Sequence, residues 1–105
     1  MKMIRFQTLT IACAFGLSLS SAAAHAAVDA HSRNLAASCA ACHGTNGHSV
    51  GAMPMLAGMD KKLFVNQMKD FKSGARTGTV MHHHAKGYTD EEFEKLADFF
   101  AAQKH

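Results

Sequence analysis

The sequence predicts an all-α domain: three main helices joined by two long loops. Three observations carry that reading. Apolar residues recur at helical spacing around Phe64 and around Phe93. Capping residues and glycines bracket those segments. No run of alternating apolar and polar residues reads as a strand.

The first helix is expected over 29–41, with Leu35, Ala36 and Cys39 on its inner face and Gly44 at its stop. The second is expected over 61–73. Asp60 serves as N-cap, Gly74 follows the last turn, and Phe64, Met68 and Phe71 form a stripe at i, i+4, i+7. The third is expected over 90–103. Thr89 and Glu92 spell a capping box, and Phe93, Leu96, Ala97 and Phe100 recur at i, i+3, i+4, i+7. The loop over 44–59 is rich in Gly and Met and holds the only proline, Pro54; the loop over 74–88 contains Gly74, Gly78 and Gly87. Structureless loops of this length need a reason in a small domain, and wrapping a ligand supplies one.

The start of the chain reads as a leader. Lys2 and Arg5 form a positive n-region, 10–20 is an apolar run, and Ala24-His25-Ala26 is a small-x-small cleavage site. The run is shorter than the roughly 20 residues of a membrane span. Cleavage after Ala26 leaves 27–105 as one domain with no membrane anchor. Cys13 leaves with the leader, since no small-residue lipobox precedes it. Removing Lys2 and Arg5 leaves nine basic against eight acidic residues, a net charge of +1. No basic stripe interleaves with aromatics, so a nucleic-acid partner is excluded. Lys61, Lys62, Lys69, Lys72 and Arg76 gather in the middle, and Asp90, Glu91, Glu92, Glu94 and Asp98 near the end. The segregation either steers docking or marks two solvated helix faces.

The chemistry concentrates in Cys39-Ala40-Ala41-Cys42-His43, a C-x-x-C-H run. Two thiols one helical turn apart can add across the two vinyl groups of one porphyrin, and the adjoining His43 then reaches the iron as proximal ligand. A zinc site would want a second Cys pair, and a redox dithiol an α/β pattern; neither is present. Haem c, one per chain, is therefore the expected cofactor. Export fits it, because bacteria form these thioethers outside the cytoplasmic membrane. With both remaining cysteines used, no structural disulfide is expected. A covalent haem also supplies the staple that so short a chain needs.

The second axial position is open to Met, His or nothing. Among Met53, Met55, Met59, Met68 and Met81, Met68 reads as core and the first three as haem-edge packing. Met81 is favoured because a loop position leaves its side chain free of helix packing. His82, His83 and His84 follow it. They read as solvated polar residues, as ligands to a second soft or borderline metal such as copper, or as replacements for Met81. Pro54 is placed to orient His43 by accepting its Nδ1–H at a backbone carbonyl. Lys72 and Arg76 are candidates to neutralise haem propionates, or simply surface charges. His31, His48 and His105 have no supporting constellation.

Cys39-x-x-Cys42-His43-Gly44, Gly47, Pro54, Phe71-Lys72-x-Gly74, Met81 and Ala85-Lys86-Gly87-Tyr88 together resemble a small bacterial class I cytochrome c. Met59-Asp60 with Phe64-Val65, Phe71-Lys72-Ser73-Gly74 and Ala85-Lys86-Gly87-Tyr88 most resemble the cytochrome subunit of flavocytochrome c sulfide dehydrogenases. The resemblance implies a fold around one haem, His43 and Met81 as axial ligands, and single-electron transfer. It also implies a flavoprotein partner that oxidises sulfide. The chain has one C-x-x-C-H where some members have two, and the His run is unusual. The expected function is thus a periplasmic electron carrier, not itself an enzyme, acting as that subunit or as a free soluble shuttle to another redox partner. A ligand-binding haem protein and a copper-handling module are the alternatives from other classes.

Overall fold

The structure, a computed structural model, describes residues 29–104; the leader expected over 1–26 lies outside the described residues. Asp29 caps α1 (Ala30–Ala37), its carboxylate accepting from the Ser32 backbone N–H at 2.6 Å. The helix expected over 29–41 is not continuous. It breaks at Ser38-Cys39 and resumes as α2 (Ala40–His43). The cause is local: the Ser38 hydroxyl donates back to the Leu35 carbonyl at 3.3 Å, and Cys39 N–H tightens onto Ala36 O at 3.1 Å.

After α2 the chain turns through a short 3₁₀ segment, Thr45–Gly47. Gly47 is required here by its φ of +80° and by space. A Cβ would stand 2.8 Å from both Leu56 and the Phe100 ring, and 2.9 Å from the Ala57 backbone nitrogen. Its carbonyl accepts from Leu56 N–H at 2.9 Å and Ala57 N–H at 3.1 Å, closing the base of the loop over 48–55. Gly58 N–H donates to Phe100 O at 2.8 Å and ties that base to the last helix.

α3 (Lys61–Ser73) runs over the expected residues. Asp60 accepts from Leu63 N–H at 2.9 Å, Gly74 ends the helix in the left-handed conformation, and Phe64, Val65 and Met68 are buried. The segment over 74–88 departs from expectation, because part of it is helical: α4 (Met81–Lys86). Six residues without a side-chain cap would not hold a helix alone in water. Packing against α3 and the complete burial of Ala85 sustain it.

α5 (Asp90–Ala101) carries the expected capping box in both directions, with Thr89 N–H donating to Glu92 at 2.7 Å and Glu92 N–H to Thr89 at 3.1 Å. It packs against α1 and α3. Phe93, Leu96 and Phe100 are fully buried, and Phe99 is buried too, which the expected stripe omits. Each such side chain contributes about 1.5–3 kcal/mol on leaving water. Phe64 and Phe100 meet with ring centroids 5.5 Å apart, joining α3 to α5. Among the described residues there is no strand, and no helix is long and apolar enough to cross a membrane.

Candidate haem site

The spacing of the C-x-x-C-H run puts Cys39 and Cys42 on one turn, with Cys42 N–H and His43 N–H both bonding to Cys39 O, at 3.2 and 2.9 Å. Cys39 is half-buried and Cys42 exposed. Burial pushes the Cys39 thiol above its ordinary pKa.

His43 closes α2 and is itself buried. Its Nδ1 donates to the Pro54 carbonyl at 2.8 Å, because that oxygen can only accept. The proton therefore sits on Nδ1, and Nε2 presents a lone pair. Among the described residues, Nε2 of His43 is the one buried side-chain nitrogen or oxygen with no hydrogen-bond partner. A buried polar atom left this way costs about 1–3 kcal/mol. An imidazole held by a carbonyl at one nitrogen and bare at the other is the arrangement of a metal-ligating histidine. The residues present thus fit a haem iron.

Cys39, Met59, Phe71, Met81 and Tyr88 all pack against the one core cluster that includes Leu56, Phe64, Val65 and Met68. The fold therefore brings the first cysteine and Met81 to the same apolar body. Met81 is not in a free loop: it opens α4 and is half-buried. The turn leading to it packs tightly, since a Cβ on Gly78 would stand 2.8 Å from the Phe71 ring. Met53 and Met55 are exposed and Met68 is buried in the core.

His82 and His83 stack with ring centroids 4.0 Å apart, while His83 and His84 are exposed. Among the described residues no three His, Cys, Asp or Glu side chains are grouped to hold a metal ion, so the run forms no three-ligand cage. Lys72 is committed elsewhere: its ammonium donates to Tyr88 O at 2.8 Å and pairs with Asp90 at 3.2 Å. That pairing, led by the Lys72 hydrogen bond and reinforced by Lys69, holds the Asp90 carboxyl below its usual range. Arg76 lies over the Phe71 ring, 5.1 Å from its centroid. Two contacts went unread in the sequence. The Tyr88 hydroxyl bonds Ser38, beside the first cysteine, at 2.8 Å. His48 bridges the Thr45 carbonyl and the Lys104 carbonyl, linking the loop after the motif to the end of α5. Both join residues fifty or more positions apart, and no local pattern announces them.

A small helical domain that offers two thiols on one turn and a buried, carbonyl-oriented imidazole is a covalent haem-binding domain. A family model described as Cytochrome c matches residues 30–104, and the chain belongs to that family. It is similar to the cytochrome subunit of sulfide dehydrogenase from Chlorobaculum tepidum, 47% identical over 66 residues that cover 63% of this chain and 60% of that protein. Cytochrome c4 of Pseudomonas aeruginosa is 40% identical over 83 residues, covering 77% of this chain and 41% of that one. A thiosulfate dehydrogenase electron acceptor from Stutzerimonas stutzeri is 39% identical over 64 residues, covering 59% of this chain and 30% of that protein. The chain thus spans 60% or less of each of these three relatives. As a member of that family it carries covalently attached haem c and transfers electrons.

Proposed function

We propose that this cytochrome works in the periplasm as the electron-accepting subunit beside a sulfide-oxidising flavoprotein. The state of His43 carries the haem chemistry: one ring nitrogen held by Pro54 O at 2.8 Å, the other buried and unpartnered. The likeness to a sulfide dehydrogenase cytochrome subunit supports the choice of partner.

In this reading Cys39 and Cys42 would hold the haem by thioether bonds, and His43 and Met81 would be the residues that ligate its iron. The bound haem supplies an iron that alternates between ferric and ferrous states. The residues supply position and surroundings. Pro54 O holds the proton on His43 Nδ1, which fixes the ring's tautomer and raises its basicity at Nε2. The core cluster keeps water from the buried side, so little solvent must reorganise when charge changes. Met81 at the start of a packed helix, with Gly78 against Phe71 behind it, keeps its position through each cycle. His82, His83 and His84 remain as solvated neighbours of Met81.

The test is isolation of the protein natively from periplasm. A co-purifying flavoprotein and haem reduction on adding sulfide are the expected results. A lone cytochrome, reduced by ascorbate and indifferent to sulfide, would overturn the subunit reading and leave a free electron shuttle.

A further inference from the structure

Four cations among the described residues are matched inside the fold. Lys61 pairs with Asp98, Lys69 and Lys72 share Asp90, and Lys95 pairs with Glu91. The segregation of charge visible in the sequence is therefore cancelled in part between α3 and α5, where Lys61, Lys69 and Lys72 meet Asp98 and Asp90. Arg33, Lys62, Arg76, Lys86 and Lys104 join no ion pair among the described residues, and of these Arg76 and Lys86 lie together. Both line one concavity of about 310 Å³, bounded by the end of α3, the turn after it and α4.

The lining of this concavity is one-sided in charge. Lys72, Arg76 and Lys86 contribute to it together with the His82 imidazole and the Thr77 hydroxyl, and no carboxylate lines it. Arg76 is oriented by its stacking on Phe71, so its planar fork is partly ordered before any ligand arrives. His82 and Lys86 are one turn apart on α4 and share a face. That face is turned about 100° from the one bearing Met81 and Ala85, which looks into the core. The carbonyl end of α3 opposes an anion here, but its exposed carbonyls are partly satisfied. Asp70 O, for example, accepts from Arg76 N–H at 3.1 Å and from Ser73 Oγ at 3.2 Å.

We infer that this concavity is a binding site for a small multivalent oxyanion. A guanidinium presents paired N–H donors matched to two oxygens of a tetrahedral anion. Lys86 adds a point charge and Thr77 a neutral donor, while Lys72, paired with Asp90, lines the edge. Arg76 and Lys86 have no carboxylate partner among the described residues, so an entering anion meets their charge uncompensated.

The experiment uses the intact holocytochrome, with inorganic phosphate as probe and chloride holding ionic strength constant. Amide chemical shifts are followed by NMR. Saturable shifts over 74–78 and 82–86 are expected, and Arg76→Gln and Lys86→Gln should each weaken binding about threefold to tenfold. Lys62→Gln, which alters a cation outside the concavity, should leave it unchanged. An unaltered haem absorption spectrum shows that each variant is folded. The inference is overturned by non-saturable shifts, by equal weakening in Lys62→Gln, or by unchanged binding in Arg76→Gln and Lys86→Gln. It is also overturned if a glutamate-rich peptide binds there while phosphate does not, since the surface would then serve an acidic protein. None of these readouts depends on sulfide or on a flavoprotein partner.

Discussion

Replacing Gly47 with alanine should cripple the domain, while the same change four residues later at Gly51 should not. The two glycines share one loop and differ in backbone conformation and surroundings. Gly47 has φ +80°, and an added Cβ would press on Leu56, the Phe100 ring and the Ala57 nitrogen at 2.8–2.9 Å. A non-glycine residue in that conformation costs about 1–2 kcal/mol. Forcing a methyl into a closed contact adds about 1–3 kcal/mol, because backbone and a buried ring cannot both retreat. The stiffer unfolded chain returns about 0.4–1 kcal/mol. The net loss is about 1–4.5 kcal/mol, a Tm drop of roughly 4–35 °C for a domain of this size. Gly51 has nothing within 4 Å and is not among the positive-φ glycines. Its alanine variant keeps only the unfolded-state gain, about 0.4–1 kcal/mol of added stability. Thermal unfolding of the two holoproteins, followed by far-UV circular dichroism, measures the difference. If Gly47→Ala lies within about 0.5 kcal/mol of Gly51→Ala, the reasoning about this loop's closure is wrong. The loop base also carries Pro54 toward His43, so a folded Gly47→Ala protein should show an altered reduction potential as well.

Thr89→Ala removes one side of the α5 capping box and should cost about 1 kcal/mol in guanidinium unfolding, with an unchanged slope. Asp90 is held below its usual carboxylate range by Lys72, so its contribution is fully present above about pH 4 and fades as pH falls through the lowered folded value. The wild type and Asp90→Asn should accordingly differ in unfolding midpoint at neutral pH and converge in acid; a gap that persists in acid would refute the pairing. Met81→Ala should open the iron to carbon monoxide and cyanide at neutral pH, read by absorption titration, with the thioether-bound haem retained. Loss of the covalently bound haem in Met81→Ala, or no gain in ligand binding, would count against Met81 as a ligand.

Features written in short stretches of sequence were legible without the fold. The C-x-x-C-H run needs only five consecutive residues, because thioether chemistry and iron ligation both depend on one turn of chain. α3 and α5 declared themselves through caps three residues apart and stripes at helical spacing, and those signals are local by nature. The Pro54 carbonyl was anticipated as partner to His43 from its place in the following loop. Tertiary structure decided the rest. α4 has no amphipathic stripe or cap to announce it; six residues are helical because Ala85 is buried in the core and α3 lies alongside. The break at Ser38 depends on a hydroxyl choosing a carbonyl of the previous turn and on Tyr88, fifty residues away. Sequence could count the lysines of α3 and the carboxylates of α5, but only packing shows which pair: Lys61 with Asp98, Lys69 and Lys72 with Asp90. The same packing leaves Arg76 and Lys86 without a carboxylate on the lining of one concavity. Which charges cancel is a matter of distance in space, and the order of residues along the chain does not contain it.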